Sequence, residues 1–170
     1  MKMDLSELRD KNVSSLILKG DIKKDRIDIY GRKIEFVEPV KYDGEIYKVD
    51  GDYFIYLEIM YKYKENCGRC LEPFTKEDRT VLSGKLEERT NESMEDDEGE
   101  VIYYSEDKLN LQEEILNTIM LTLPMKPLCK EGCKGICPQC GANLNVEECN
   151  CTIEDIDPRL AVLKDLRLKE

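Results

Sequence analysis

Eight cysteines fall in four close pairs in a chain that contains no histidine, and this pattern constrains the fold more than any other feature. The pairs are Cys67-x-x-Cys70, Cys129-x-x-x-Cys133, Cys137-x-x-Cys140 and Cys149-x-Cys151. One such pair is a weak signal; four, with Gly141 directly after Cys140, point to turns in which two sulfurs reach one ion while backbone amides face them. Gly141 is free to take the left-handed conformation such a turn demands. Zinc fits because thiolate sulfur at about 2.3 Å in a closed tetrahedron is its usual structural environment, and without histidine every ligand must be cysteine. One or two ions are expected. The economical division of ligands is Cys67, Cys70, Cys129 and Cys133 in one site and Cys137, Cys140, Cys149 and Cys151 in another. Cys133 and Cys137 are close enough in sequence to exchange places, and all-cysteine ligation also admits an iron–sulfur cluster.

The first residues, Met-Lys-Met-Asp-Leu-Ser-Glu-Leu, form no apolar signal segment, and no apolar run approaches the roughly 20 residues of a membrane span. A cytoplasmic location without membrane attachment is therefore expected, where paired cysteines are metal ligands more readily than disulfides. At 170 residues the chain has room for one medium domain with a small appended module. Its formal net charge of -11 opposes the diffuse phosphate attraction behind non-specific nucleic-acid binding, so any RNA contact needs a local basic patch. Much of the acid lies between Glu92 and Glu100, a stretch without hydrophobic periodicity that is expected to be a solvated loop.

Asp4 and Glu7 have capping-box spacing, predicting a short, peripheral helix from Leu5. From Val13 to Lys64, short apolar stretches punctuated by Gly20, Gly31, Gly44 and Gly51 read as consecutive strands and turns. Between Asp52 and Lys64, Tyr53, Ile55, Leu57, Ile59, Tyr61 and Tyr63 alternate with a second set that turns charged only near its end. This predicts a long strand covered on both faces at its start and half exposed as it delivers Cys67 to a sheet edge. A second strand returns from Phe74 to Leu86, which makes Cys67 to Cys70 a hairpin connection. Val101 to Tyr104 reads as a further short strand. Leu111, Ile115, Ile119 and Leu123 then line one face of a helix capped by Asn110 with Glu113 and closed by Pro124. Residues 129–151 are too rich in Gly, Pro, Cys and Asn to order themselves without metal, and Asp157-Pro158 opens a terminal helix. The expected fold is α+β: an antiparallel sheet or partly open barrel packed by one main helix, with a cysteine-rich, zinc ribbon-like C-terminal segment. Residues 1–128 would form the sheet-plus-helix domain, and residues 129–170 the zinc-binding segment and terminal helix packed on it.

Catalytic constellations are missing: no histidine base, no phosphate-cradling glycine loop and no nucleophile elbow. A closed four-cysteine site leaves no position for water, so no enzymatic activity and no small-molecule substrate are expected. The Cys67-Gly68-Arg69-Cys70 motif admits redox chemistry, but that chemistry usually sits at a strand-to-helix turn of a parallel fold. Arg69, Lys126, Lys130 and Lys134 crowd the cysteines, either neutralising thiolate charge or forming an RNA-binding patch.

The chain resembles the YceD family, described as large ribosomal RNA subunit accumulation proteins. The resemblance is carried by Asp4-Leu5-Ser6-Glu7-Leu8, Cys67-Gly68-Arg69-Cys70-Leu71-Glu72-Pro73-Phe74 and Leu123-Pro124-Met125-Lys126-Pro127-Leu128-Cys129. It continues through Gly135-Ile136-Cys137-Pro138-Gln139-Cys140-Gly141-Ala142-Asn143-Leu144-Asn145 and Asp157-Pro158-Arg159-Leu160-Ala161-Val162-Leu163. It implies a non-enzymatic role in accumulation of large-subunit ribosomal RNA, with that RNA or a pre-ribosomal particle as partner, reached directly or through a protein. It also implies that the two cysteine groups are separable, since some members keep the first C-x-x-C and lack the Cys137 to Cys151 cluster. The alternative expectation is a zinc-linked redox-sensing regulatory protein.

Overall fold

The structure is a computed structural model, and it describes residues 3–10, 13–29, 31–89 and 101–151. The acidic stretch between Glu92 and Glu100 and the terminal helix expected after Pro158 lie outside the described residues.

The strand predicted from alternation is the spine of the fold. It is β6, Asp52–Asn66, preceded by β1 (Met3–Asp4), β2 (Ser15–Ile22), β3 (Arg26–Ile29), β4 (Arg32–Phe36) and β5 (Val40–Val49). β7 (Pro73–Glu88), β8 (Val101–Tyr104), β9 (Lys108–Leu109) and helix α1 (Leu111–Thr122) follow. β6 pairs antiparallel with β5 over its first half, with β4 near its end, and with β7 along its whole length. β2 extends the sheet beyond β5, β3 extends it beyond β4, and β8 lies beyond β7. The described residues form a mostly antiparallel sheet in which β2, β3 and β8 each pair on one side only. The sheet departs from pure antiparallel pairing at one place, because β8 runs parallel to β7, with Lys85 opposite Val101.

Three sequence expectations need correction. The outer face of β6 is uncovered from near its start: Phe54 is half-buried and Tyr56 exposed, because no second layer lies over that side among the described residues. The apolar set on that face reflects strand propensity rather than burial on both sides. Second, β6 delivers Cys67 to the end of the central hairpin rather than to a sheet edge, since β6 has neighbours on both flanks. Third, the short helix expected from Leu5, of one or two turns, is a single turn, and its place is not peripheral. The Asp4 carboxylate accepts the Ser6 N–H at 2.9 Å, two residues on, and a single 3-10 turn follows over Ser6–Arg9. Leu5 and Leu8 are buried in the main core.

α1 lies over β7 on the inner face and buries Leu111, Ile115 and Ile119, with Leu123 just beyond its end. Removal from water of each of these side chains contributes roughly 1.5–3 kcal/mol, which fixes the helix on the sheet. Asn110 occupies the cap position, but its side-chain oxygen accepts no backbone N–H of the first turn; its side-chain amide donates to the Glu113 carboxylate at 2.6 Å. The helix stops where Leu123 turns extended before Pro124, as the residue ahead of a proline must. The segment after it therefore turns back toward the end of the β6–β7 hairpin.

Candidate metal centre

At that hairpin end, six residues, 67–72, connect β6 to β7 and form a tight knuckle. Cys67 N–H donates to the Glu72 carbonyl at 2.9 Å, and Leu71 N–H donates to the Cys67 carbonyl at 3.0 Å. The same pattern recurs seventy residues later, where Cys137 N–H donates to the Ala142 carbonyl at 2.8 Å and Gly141 N–H to the Cys137 carbonyl at 2.9 Å. Both turns put the residue after the second cysteine in the left-handed region, Leu71 at φ 62° and Gly141 at φ 76°. The glycine was legible from sequence; the leucine in the equivalent place was not, because its backbone is strained for a side chain of that kind.

The structure brings the cysteines together as two groups, Cys67, Cys70, Cys129 and Cys133, and Cys137, Cys140, Cys149 and Cys151, with the Sγ atoms of each group within 4.8 Å of one another. In the first group Cys67 and Cys133 Sγ are 3.8 Å apart and Cys70 and Cys129 Sγ 3.7 Å. Disulfide sulfurs lie at about 2.05 Å, so these are separate thiols. A regular tetrahedron with metal–sulfur bonds of about 2.3 Å has sulfur–sulfur edges of about 3.8 Å, so the first group has the dimensions of a mononuclear tetrathiolate site. A multi-iron cluster, whose irons take cysteine on their outer side, needs its sulfurs farther apart.

Backbone and side-chain donors face the sulfurs. Arg69 N–H points at Cys67 Sγ at 3.5 Å, and the Asn145 amide donates to Cys133 Sγ at 3.4 Å. Burial pushes the Cys67 thiol up, but the N–H groups of Cys70, Cys129 and Arg69 together outweigh it and bring it down to about 6. The N–H groups of Cys140 and Gln139 bring Cys137 down to about 6 as well. Two other thiols are pushed the opposite way: burial and the neighbouring sulfurs hold Cys129 at about 12, and the sulfur of Cys140 followed by burial does the same to Cys151. Four sulfurs packed this closely give up their protons together only beside a cation, which fits a divalent soft metal.

The two groups differ in exposure. Cys67, Cys70 and Cys133 are buried and Cys129 half-buried, with Leu128 and Phe74 against them, whereas in the second group Cys137 alone is buried, Cys149 and Cys151 are half-buried and Cys140 is exposed. The first group clamps the hairpin end to the segment after α1, and Gly68 N–H reinforces that clamp by donating to the Pro127 carbonyl at 2.8 Å. In the second, a single β-bridge between Ile136 and Asn143 closes the loop.

Sequence reasoning gave no role to several residues that hold this region, Glu65 and Gly135 among them. Glu65, buried two residues before Cys67, receives Arg32 Nε at 2.6 Å and Nη2 at 2.8 Å, while Arg32 Nη1 donates to the Pro124 carbonyl at 2.6 Å. The only sequence signal was a glutamate on the apolar face of β6. At Gly135, φ is 82° and an added Cβ would come within 3.2 Å of the Arg69 carbonyl, so the chain between the two cysteine groups presses on the first knuckle.

All four expected basic residues lie in the loops around the first group and are exposed. Arg69 is already engaged, donating to the Cys133 carbonyl at 3.0 Å, so it ties the knuckle to the Cys129–Cys133 loop. Lys126 lays its stem 3.7 Å from where a Gly68 Cβ would stand. Among the described residues no helix is long and apolar enough to cross a membrane.

Residues 55–167, a span that contains all eight cysteines, match the family model described as large ribosomal RNA subunit accumulation protein YceD. An uncharacterized protein of Mycobacterium tuberculosis is 35% identical over 104 residues, covering 59% of this chain and 48% of that protein. An uncharacterized protein of Mycobacterium leprae is 25% identical over 142 residues, covering 78% of this chain and 61% of that protein. A protein of Arabidopsis thaliana named large ribosomal RNA subunit accumulation protein YCED homolog 1, chloroplastic, is 33% identical over 60 residues, 35% of this chain and 19% of that protein. The chain spans about half the length of the mycobacterial relative with the higher identity. No solved structure matches it.

Proposed function

The chain belongs to the YceD family, and from that premise we propose that it is a non-enzymatic, zinc-stabilised factor of ribosome biogenesis in the cytoplasm, supporting accumulation of large-subunit ribosomal RNA. The observation that carries the reading is the family match over 55–167, which embraces both cysteine groups. Two zinc ions, each held by one group, are supported by sulfur atoms within 4.8 Å of one another in both groups, by the 3.7 and 3.8 Å spacings in the first, and by a donor set of sulfur alone. When bound, zinc cross-links the hairpin end, the segment after α1 and the 129–151 loop, and it supplies structure rather than reactivity. Cys67, Cys70, Cys129 and Cys133 would hold one ion, and Cys137, Cys140, Cys149 and Cys151 the other.

The partner is ribosomal RNA or a pre-ribosomal particle. With a net charge of -11, the chain meets it through a confined surface, and the exposed Lys126, Lys130 and Lys134 around the first group are that surface, or else it docks through a protein. Depletion in the host is expected to lower large-subunit RNA relative to small-subunit RNA and to deplete large-subunit particles. Unchanged RNA levels and particle profiles contradict the proposal.

One observation favours a second reading, redox sensing: Cys140 is exposed. That reading requires mild oxidant to release zinc and form disulfides at the second group. Zinc retained through such treatment removes it.

A further inference from the structure

Asn145 belongs to the loop of the second cysteine group, yet its side chain reaches the first. The Nδ2 group carries two protons: one goes to Cys133 Sγ at 3.4 Å and the other to Asn143 Oδ1 at 2.9 Å. Its Oδ1 accepts the Lys134 N–H at 3.0 Å. An amide is the side chain that performs all three tasks, since a carboxylate has no proton to give and an aliphatic group neither gives nor accepts.

The position of Asn145 depends on the loop that joins Cys140 to Cys149. Asn143 Oδ1 also accepts the Asn145 N–H at 3.0 Å, and Asn143 carbonyl accepts the N–H groups of Val146 at 2.9 Å and Glu147 at 3.1 Å, a compact turn. Leu144 N–H then anchors the turn to the Gly135 carbonyl at 2.9 Å. The two ends of this loop are the two halves of the second cysteine group, so whatever draws Cys137, Cys140, Cys149 and Cys151 together closes the loop and sets Asn145 against Cys133.

We infer that the two all-cysteine sites are energetically coupled through Asn145: filling the second site holds the Asn145 amide on the Cys133 sulfur and thereby tightens the first site for zinc. The inference rests on the metal reading proposed above. A hydrogen bond to a metal-bound thiolate removes charge from the sulfur and orients it, and loss of such an outer partner costs about 10–100-fold in metal affinity. Because coupling is reciprocal, an occupied first site tightens the second by the same factor. The occupancy of the more open second site is then felt by the first site, which clamps the sheet.

The test uses the full, reduced chain titrated with zinc against a chromophoric chelator, with metal content measured alongside. The cycle compares Cys140→Ser with Cys149→Ser, which removes the second site and leaves Asn145 in place; Asn145→Leu; and all three substitutions together. First-site affinity is expected to fall about tenfold in the first two, with no further loss in the third, because each removes the same interaction. Asn145→Asp, which turns a carboxylate oxygen toward the thiolate, is expected to weaken the first site at least as much as Asn145→Leu. Loading with cobalt reads the sulfur itself: loss of the hydrogen bond moves the sulfur-to-cobalt absorption of the first site to longer wavelength. Two zinc ions per wild-type chain with a first-site affinity indifferent to loss of the second overturns the coupling alone. A wild-type chain that takes up no zinc overturns the metal reading and the coupling with it. If Asn145→Leu does not fold, Asn145→Ala, which removes the same donor, takes its place in both the single and the combined variant.

Discussion

Replacing Arg32 by Met tests whether the ion pair beside the first knuckle holds the helix end to the sheet. Arg32 makes two charge-assisted bonds to Glu65, at 2.6 and 2.8 Å, and one to the Pro124 carbonyl at 2.6 Å. The Glu65 side chain is 1% exposed and that of Arg32 24%, so the pair is largely removed from water. Removing the cation strands a buried carboxylate, which costs about 3–5 kcal/mol, whereas the exposed Pro124 carbonyl passes to water at little cost. Because a quarter of the Arg32 side chain still meets solvent, the lower end applies, about 3 kcal/mol. The double replacement Arg32→Met with Glu65→Met removes both charges and recovers most of that loss, within about 1 kcal/mol of the parent. Urea unfolding at neutral pH, followed by tyrosine fluorescence in a chain that contains no tryptophan, measures both, with zinc in fixed excess so that loading does not drift. An Arg32→Met loss below about 1 kcal/mol, or a double variant as unstable as the single, refutes the reasoning.

The two knuckles make a matched pair of predictions: Leu71→Gly relieves a strained, exposed leucine and is expected to stabilise by up to about 1 kcal/mol, while Gly141→Leu costs about 1–2 kcal/mol. Thermal unfolding of both reads the signs, and the same sign for both contradicts the shared turn geometry. Tyr63 is fully buried, and its hydroxyl has no hydrogen-bond partner among the described residues. Burial, followed by the charge of Glu65, pushes it from 10.0 up to about 12. An acid raised on folding costs stability once pH passes its unfolded value, so the advantage of Tyr63→Phe in melting temperature should widen between pH 10 and 12; a constant gap contradicts it. Charge reversal of Lys126, Lys130 and Lys134 to Glu is expected to weaken association with ribosomal RNA or particles without changing zinc content, as co-sedimentation and metal analysis will show.

Much of this architecture was legible in the sequence because periodicity reports burial. The alternation through Tyr53, Ile55, Leu57, Ile59, Tyr61 and Tyr63 marks β6, and the Leu111, Ile115, Ile119 spacing marks α1, each with its inner face as expected. Local pattern does not report what a face meets. Phe54 and Tyr56 suit a strand whether or not anything covers them, so the open outer face was not foreseeable. The Asp4–Glu7 spacing satisfies a capping box, but pairing of β1 with β9, from Met3 opposite Leu109, holds the chain extended up to Asp4 and leaves room for one turn. Cysteine spacing fixes which thiols are neighbours along the chain, and the grouping across 59 residues between Cys70 and Cys129 follows from where α1 ends. Glu65 and Asn145 stayed silent because a partner distant in sequence gives a polar residue its role, Arg32 in one case and the Cys133 sulfur in the other.

The central claim, that thiolate-bound zinc holds the hairpin end, the segment after α1 and the 129–151 loop together, is tested most directly by native mass spectrometry with elemental analysis of the full, reduced chain. The predicted result is two zinc ions per chain, with all eight thiols resisting alkylation until a chelator strips the metal. A folded chain that carries no metal while its thiols react freely would contradict it.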